Sequence, residues 1–342
     1  DKPVMRGTAQ NPDTYFQARE TVNPYYSQVP VIVQEEMDRL AKITGREYKL
    51  FDYFGADDAE RVLILMGSGV QTAKAMAKVL LEQGEKVGVL AVRLFRPFST
   101  EHFLTALPKT TEHIAVLDRT KEPGSAGEPL YLDVVTQISQ AFASGSLSIM
   151  PKIIGGRYGL SSKEFTPAMV KRIFEELSSK NPKNGFTIGI TDDVSHTSLD
   201  YDYELDIEPD SVKRCLFFGV GGDGTVGAAK NNIKIIGKEE HLQAQGFFFY
   251  DSKKAGSQTV SHLRFGPDII DSPWLIKNAS FIACHNYPYM ASVDMLKHLE
   301  KGGTFLLNAP HKADDIWHRI PSHIQRQMIE KKVNFYAINA AK

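Results

Sequence analysis

The hydrophobic and polar positions along the chain alternate between short apolar runs and longer stretches of helical periodicity. Continuous apolar runs of strand length occur at Arg61–Met66, Val87–Leu94 and Ile114–Asp118. Such runs are typical of parallel strands that are buried on both faces of a sheet. Because polar turns and helical stretches separate them, the pattern predicts an α/β fold with a mostly parallel sheet.

The same pattern predicts the helices between these strands. Apolar residues recur at helical spacing over Val70–Gln83, Leu130–Phe142 and Thr166–Leu177. Thr166 is a preferred N-cap residue, and the proline that follows it suits the first helical position. We therefore interpret residues 51–207 as one α/β domain.

The segments on either side of this domain have a different character. Residues 1–50 are interpreted as an extended linker followed by a helix at Val29–Leu40, without a core of their own. An acidic, hydroxyl-rich stretch near residues 181–206 interrupts the alternation, and we interpret it as a crossing between domains. A second α/β domain then covers 208–342, and we expect it to be incomplete at its C-terminal end.

Strands and helices alternate in the second domain as well. The predicted elements are strands at Arg214–Gly219, Gly246–Tyr250, Ser280–Ala283, Gly303–Leu307 and Val333–Ile338, and helices at Thr225–Ile236 and Ser292–Lys301. This order again favours a mostly parallel sheet. The expected fold class is therefore α/β, with two consecutive βα domains.

Composition and charge narrow the possible functions. The chain is 42% hydrophobic and 24% charged with a net charge of −1, so nothing favours nucleic acid as a partner. No apolar run approaches the roughly 20 residues that span a bilayer. Two cysteines, Cys215 and Cys284, lie in apolar runs. They indicate buried thiols in a reducing compartment, so we expect a cytoplasmic protein, and they are too few for an iron–sulfur cluster held by this chain alone.

The strongest chemical signal is the glycine-rich run Phe217–Lys230, with the sequence FFGVGGDGTVGAAK. It contains the G-x-G-x-x-G pattern in two overlapping registers, at Gly219, Gly221 and Gly224 and at Gly222, Gly224 and Gly227. Glycines allow a tight turn and a close approach of phosphate to backbone N–H groups, and a following helix directs its positive end at that phosphate. The alternative interpretation is a tight strand-to-helix turn without a ligand.

Residues downstream of the loop bear on the nature of that ligand. An NAD site favours an acidic residue at the end of the second strand, which is here taken to be Phe247–Tyr250. Asp251 stands at that position, but Lys253 and Lys254 follow at once. Adjacent lysines favour an additional phosphate, as in NADP or coenzyme A, and Ser257 is placed to help bind it. A solvated turn is the alternative.

Two further motifs bear on the function. Asn286 follows Cys284 and His285 at a predicted strand end, where ligands gather in open α/β sheets, and it is a candidate pocket residue. Gly222-Asp223-Gly224 resembles the start of a thiamine diphosphate motif. We reject that match because Asn231 and Asn232 follow too closely.

Several stretches together resemble the pyruvate:ferredoxin (flavodoxin) oxidoreductase family. They are Arg6–Asp13, Phe16–Glu20, Arg93–Phe98, Leu117–Gly124, Tyr158–Pro167, Gly219–Lys230 and Tyr250–Gly256. The resemblance implies that residues 1–50 are the end of a pyrimidine-binding domain with its linker. It further implies that 51–207 is a transketolase C-terminal-like domain and 208–342 a gamma-type domain.

The resemblance also implies a function for a longer enzyme of which this chain is an internal segment. That enzyme converts pyruvate and coenzyme A to acetyl-CoA and CO₂ and reduces ferredoxin or flavodoxin, as a homodimer with thiamine diphosphate, Mg²⁺ and [4Fe–4S] clusters. No catalytic residue or metal ligand is expected within residues 1–342. The coenzyme A contacts implied here are Gly219, Gly221, Gly222, Asp223, Gly224, Thr225, Val226, Lys253, Lys254, Ser257 and Asn286. A free-standing NADP-binding dehydrogenase and a structural module of a multi-domain reductase remain the alternatives.

Overall fold

A computed structural model describes residues 7, 9–238, 241–250 and 257–340 and divides the chain into two compact units. The first unit is Asp1–Asp202 and the second is Tyr203–Lys342. Each unit contains one six-stranded sheet with helices packed on it, which confirms the predicted α/β class. The domain limits predicted at residues 50 and 207 stay predictions. Within the described residues, no helix combines the length and the apolar character needed to cross a membrane.

The sheet of the first unit has the order β1-β3-β2-β4-β5-β6. Its elements are α1 Pro12–Glu20, α2 Asn23–Thr44, β1 Phe51–Gly55, β2 Arg61–Leu65, α3 Gly69–Glu82, β3 Val87–Val92, α4 Thr100–Ala106, β4 His113–Asp118, α5 Pro129–Ala143, β5 Lys152–Arg157, α6 Pro167–Leu177 and β6 Phe186–Thr187. All neighbouring strands are parallel except the edge strand β1, which is antiparallel to β3.

Helices cover both faces of this sheet, and that explains its continuous apolar strands. Val62 and Ile64 of β2 share a core with residues of α4 and α5. Because side chains alternate along a strand, Leu63 and Leu65 point to the other face, where α3 and α6 pack together. All four side chains are fully buried. Thr166 caps α6 as predicted, since its side chain accepts a hydrogen bond from the Met169 amide.

The sheet of the second unit has the order β12-β11-β10-β7-β9-β8. Its elements are β7 Lys213–Val220, α7 Thr225–Ile236, β8 Gln243–Tyr250, β9 Gln258–Gly266, β10 Ala279–Cys284, α8 Tyr289–Ser292, β11 Leu299–Asn308, α9 Ala313–Arg319, α10 Ser322–Glu330 and β12 Asn334–Ile338. The strands β7, β10, β11 and β12 are mutually parallel, whereas β9 is antiparallel to both of its neighbours.

The predicted helix over Ser292–Lys301 is wrong. The structure has the short helix α8, then a 3₁₀ turn at Met295–His298, and β11 begins at Leu299. Leu299 pairs with Ala279 of β10, so sheet pairing takes up the end of the predicted helix. The apolar residues of this segment are buried in the core, and this burial overrides their helical spacing.

Other parts of the chain also differ from the sequence-based expectation. The segment from Pro12 to Gln28 is not extended, because Pro12 opens the helix α1 and α2 already begins at Asn23. Strand β9 was not predicted at all. Its polar residues Ser261 and Arg264 are buried together with its apolar ones, so the strand lacks the alternation by which strands are usually found.

Candidate functional site

The glycine-rich loop lies at the carboxyl edge of the second sheet, between β7 and α7. Strand β10 ends beside β7, and the His285 amide donates a hydrogen bond to the Phe218 carbonyl at 2.8 Å. The Gly221 amide donates to the Ser257 carbonyl at 2.8 Å, just before β9 begins. The fold therefore brings the loop, Ser257 and the residues after β10 to one edge, although they are far apart in the sequence.

The glycines of the loop serve different purposes. Gly222 and Gly224 have φ values of +95° and +86°, which only glycine adopts without strain, and Gly224 is the N-cap of α7. Gly219 is needed for space, because a Cβ there would lie 2.4 Å from Thr225 Oγ1 and 2.8 Å from Asp223 Oδ2. A Cβ on Gly227 would meet no atom within 4 Å. The glycines at 219, 222 and 224 therefore shape the turn itself.

The carboxylate of Asp223 is bound by the amides of its own loop. Asp223 Oδ2 accepts a hydrogen bond from the Val220 amide at 2.7 Å, and Oδ1 accepts one from the Thr225 amide at 2.8 Å. Partial burial acts to raise the pKa of this carboxyl, but the hydrogen bonds prevail and hold the pKa below its ordinary value. Asp223 is therefore an anion at neutral pH, and it occupies donors that a phosphate would need.

Other donors of the loop are free to bind a ligand. Gly222 and Gly224 are exposed, and their amides have no hydrogen-bond partner in the part of the chain that the structure describes. Because an ionised carboxylate lies beside them, these amides suit a neutral acceptor such as an amide carbonyl better than a phosphate.

Tyr289 and Asn308 also lie at this edge, and neither was predicted from the sequence. The Tyr289 hydroxyl donates to the Gly219 carbonyl at 3.2 Å, and the Tyr289 amide donates to the Asn286 carbonyl at 3.0 Å. Asn308 Nδ2 donates to the His285 carbonyl at 3.3 Å. The sequence signal that could have found them is their position, because Asn308 ends a strand and Tyr289 follows one closely.

His285 lies between the loop and the sheet. Its half-buried ring stacks on Phe217, with ring centroids 6.3 Å apart. Burial lowers the pKa of His285, and the nearby negative charge of Asp223 opposes that effect without cancelling it. The imidazole is therefore neutral at physiological pH, so this edge carries one negative charge on Asp223 and no compensating histidine charge.

The residues predicted to select the ligand follow β8 in the sequence. Lys253 and Lys254 lie outside the described residues, as does Asp251. The strand expected to carry the second half of a dinucleotide site is β8, and β8 is not a neighbour of β7. Strand β9 is inserted between them and pairs with both. The geometry of an NAD-binding βαβ unit, in which these two strands are adjacent, is therefore absent from this edge.

Comparison with known proteins identifies the family. Residues 59–160 match the family model "Pyruvate:ferredoxin oxidoreductase core domain II", and residues 214–342 match "Pyruvate ferredoxin/flavodoxin oxidoreductase". The pyruvate-flavodoxin oxidoreductase of Trichormus variabilis is 60% identical over 342 residues, which is 100% of this chain. The chain belongs to the pyruvate:ferredoxin (flavodoxin) oxidoreductase family.

Other members of the family are similarly close. The pyruvate:ferredoxin oxidoreductase of Moorella thermoacetica is 53% identical, and the probable pyruvate-flavodoxin oxidoreductase of Escherichia coli is 51% identical, each across 100% of this chain. The chain spans 28% of the length of the Trichormus protein and 29% of the other two. It therefore corresponds to a minor part of each relative.

The two cysteines of this family member are buried free thiols. Cys215 and Cys284 are free and buried on adjacent strands, and burial raises the pKa of the first thiol to about 12 and of the second to about 11. Thiols with such pKa values are not thiolates at neutral pH and are poor metal ligands. Among the described residues, no group of three or more His, Cys, Asp or Glu side chains is arranged to hold a metal ion.

Proposed function

We propose that the full-length protein oxidatively decarboxylates pyruvate with coenzyme A, giving acetyl-CoA and CO₂ and reducing ferredoxin or flavodoxin. The supporting observation is that relatives named pyruvate-flavodoxin oxidoreductase or probable pyruvate-flavodoxin oxidoreductase are 51% to 60% identical to this chain over its whole length. Thiamine diphosphate, Mg²⁺ and the [4Fe–4S] clusters are held outside residues 1–342, in a cytoplasmic homodimer. The first unit supports that dimer and the wall of its active site.

The activity is tested on the purified full-length protein under anaerobic conditions. We expect reduction of ferredoxin or flavodoxin to require both pyruvate and coenzyme A, with acetyl-CoA as a product. Comparable reduction with another 2-oxoacid and none with pyruvate would overturn the substrate assignment. Reduction that does not depend on coenzyme A would overturn the reaction.

Within that enzyme, the second unit binds coenzyme A at the carboxyl edge of its sheet. Glycines 219, 221, 222 and 224, with Thr225 and Val226, form the loop, and Ser257 and Asn286 lie beside it. Because the Asp223 carboxylate already binds two loop amides, the loop receives the pantetheine arm, whose amide carbonyls are neutral acceptors. The phosphates are bound by the ammonium groups of Lys253 and Lys254 as point charges.

The strand order argues against the NADP-binding alternative. A dinucleotide spans two adjacent parallel strands, whereas β9 separates β7 from β8 by one additional strand spacing of about 4.8 Å. The other alternative is a structural module that binds no ligand. On that alternative, the loop serves only to make the internal hydrogen bonds of Asp223.

The coenzyme A assignment is tested by comparing coenzyme A with dephospho-coenzyme A in the full-length enzyme. We expect KM to be lower for coenzyme A, and we expect the double variant Lys253→Gln/Lys254→Gln to lose most of that preference with little change in kcat. The exposed Lys301, at the opposite end of β11 from the site, provides the matched control Lys301→Gln. Equal KM values for both compounds in the wild-type enzyme would refute the lysine assignment. NADPH is tested as a parallel ligand. If neither coenzyme A compound binds, binding of NADPH would favour the dehydrogenase, and no binding of NADPH would favour the structural module.

A further inference from the structure

A tyrosine hydroxyl holds the point at which the glycine-rich loop leaves the sheet. The Tyr289 hydroxyl donates a hydrogen bond to the Gly219 carbonyl at 3.2 Å. Gly219 has no side chain by which the fold could hold it, and a Cβ there would collide with Thr225. The contact with Tyr289 therefore holds this residue through its backbone. It connects the loop after β7 to the segment after β10, across the carboxyl edge of the sheet.

Tyr289 is itself held in place by α8. Its amide donates to the Asn286 carbonyl at 3.0 Å, and its carbonyl accepts a hydrogen bond from the Val293 amide at 2.9 Å. The next residue, Met290, is 3% exposed and lies in the core of the second unit. The half-buried Tyr289 side chain packs against the same core. The hydroxyl is therefore presented to the loop by a well-packed element of the fold.

The hydroxyl of Tyr289 is in the form that donates a hydrogen bond. Burial raises the pKa of Tyr289 above its ordinary value, and a hydrogen bond between the side chains of Asn286 and Tyr289 opposes that effect without cancelling it. The phenol is therefore protonated at neutral pH and can donate to the Gly219 carbonyl. Asn286, which the sequence predicts to be a coenzyme A contact, thus also acts on the tyrosine that holds the loop.

A glycine-rich loop that binds a ligand through backbone amides benefits from such support. Glycine loses more conformational freedom than other residues when it is fixed, so a loop that is ordered before the ligand arrives binds more tightly. The Asp223 carboxylate holds the loop from inside, and the Ser257 carbonyl accepts a hydrogen bond from the Gly221 amide. Tyr289 adds a third hold, at the first residue of the loop.

We infer that Tyr289 is a positioning residue for coenzyme A: its hydroxyl orders the glycine-rich loop so that the Gly222 and Gly224 amides bind carbonyl groups of the pantetheine arm. The inference rests on the proposed binding of coenzyme A at this loop. In this role Tyr289 acts on the affinity for coenzyme A and not on the chemical step. Loss of the hydroxyl therefore raises the KM for coenzyme A and leaves kcat at saturating coenzyme A unchanged.

Tyr289→Phe in the full-length enzyme tests the inference, because it removes the hydroxyl and keeps the ring. We expect the KM for coenzyme A to rise about three- to tenfold, the effect of one hydrogen bond, and the KM for pyruvate to stay the same. Tyr287→Phe is the matched control. Tyr287 packs against the same core, but its hydroxyl donates to the Arg319 carbonyl at 3.0 Å, away from the loop. We expect this control to keep the wild-type KM.

Two further measurements separate positioning from a general loss of stability. Tyr289→p-aminophenylalanine places an N–H donor at the para position, and we expect it to recover most of the affinity for coenzyme A. Hydrogen exchange of the segment 219–225, followed by mass spectrometry, reports the order of the loop directly. Without coenzyme A, we expect this segment to exchange faster in Tyr289→Phe than in the wild-type enzyme or in Tyr287→Phe. In the wild-type enzyme, coenzyme A should slow its exchange.

The outcomes distinguish this inference from the proposed function. If coenzyme A does not slow exchange of the loop in the wild-type enzyme, the proposed binding site is wrong and the inference falls with it. If coenzyme A does slow it, four results overturn the inference alone: a wild-type KM or wild-type loop exchange in Tyr289→Phe, an equal rise of KM in Tyr287→Phe, a lower kcat in Tyr289→Phe, or no recovery with p-aminophenylalanine.

Discussion

Two glycines of one sequence motif have opposite roles at the residue scale. Gly219 lies under the side chains of Thr225 and Asp223, whereas the space beside Gly227 in α7 is empty. The sequence pattern treats both as members of a phosphate-binding fingerprint. The contacts separate them, because only at Gly219 would a methyl group collide with the loop.

Gly219→Ala is expected to destabilise the second unit by about 1–3 kcal/mol, since the new Cβ forces the loop and the start of α7 to move. It is also expected to raise the KM for coenzyme A. Urea unfolding and steady-state kinetics measure the two effects. The control Gly227→Ala should stabilise α7 by about 0.5–1 kcal/mol, because alanine has the higher helix propensity. Equal effects of the two substitutions would contradict the packing role of Gly219.

His262 of β9 makes stability depend on pH. Burial lowers its pKa from 6.5 to about 3, and the Ile276 amide donates a hydrogen bond to its Nδ1 at 3.1 Å. Above pH 6.5 the ring is neutral in both the folded and unfolded states, so it makes no pH-dependent contribution. As the pH falls from 6.5 toward 3, only the unfolded state binds the proton, and the free energy of unfolding decreases.

We therefore expect the free energy of unfolding to fall as the pH is lowered from 6.5 toward about 3, and we expect His262→Gln to weaken that dependence. The slope of the variant's free energy of unfolding against pH is the quantity to compare, whatever its stability at neutral pH. Chemical denaturation at several pH values measures both proteins. Identical slopes would show that other groups, such as His285 and His298, carry the dependence.

At the element scale, β9 is held by a buried ion pair. Arg264 Nε donates to Glu208 Oε1 at 2.7 Å, and Arg264 Nη2 donates to the Trp274 carbonyl at 2.9 Å. The side chains of Arg264 and Glu208 are 1% and 3% exposed. This ion pair connects β9 to the segment that precedes β7. Both residues are charged, so the hydrophobic pattern of the sequence does not indicate that they are buried.

Arg264→Met is expected to destabilise the protein by about 3–5 kcal/mol, because it leaves the Glu208 carboxylate buried without its partner. The double variant Arg264→Met/Glu208→Leu should recover much of that loss. Arg39 and Glu36 provide a control at the same distance of 2.7 Å, but their side chains are 72% and 60% exposed. Arg39→Met should cost about 1 kcal/mol or less. A similar cost for Arg264→Met and Arg39→Met would contradict the role of burial.

Elements were predictable from the sequence where one physical signal dominated. Strands β2 and β4 have uninterrupted apolar residues because both of their faces are buried, and α7 begins and ends where its helical spacing predicts. Strand β9 was missed because buried polar residues interrupt its apolar pattern, and only the fold supplies the partner of the largest of them, Arg264. The predicted helix at Ser292–Lys301 failed because pairing with β10 extended β11 back to Leu299.

At the scale of the whole molecule, the proposed function assigns the redox centres to parts of the enzyme outside residues 1–342. We expect residues 1–342, purified alone after iron–sulfur reconstitution, to bind no cluster and to show no pyruvate-dependent reduction of an acceptor. The physical reason is that Cys215 and Cys284 are buried with pKa values of about 12 and 11. Iron and sulfide analysis measures the first expectation, with the full-length protein as the positive control. Stoichiometric iron in residues 1–342 alone would contradict it.

The sequence by itself determined the α/β class, the order of most elements, the family and the position of the glycine loop. These depend on local periodicity and on motifs of adjacent residues, which a single chain displays directly. Only the tertiary structure decided that β9 separates β7 from β8 and that Asp223 binds its own loop. Each of these depends on which distant residues pair, and the pairing is decided by burial and hydrogen bonding across the sheet and not by neighbours in the sequence.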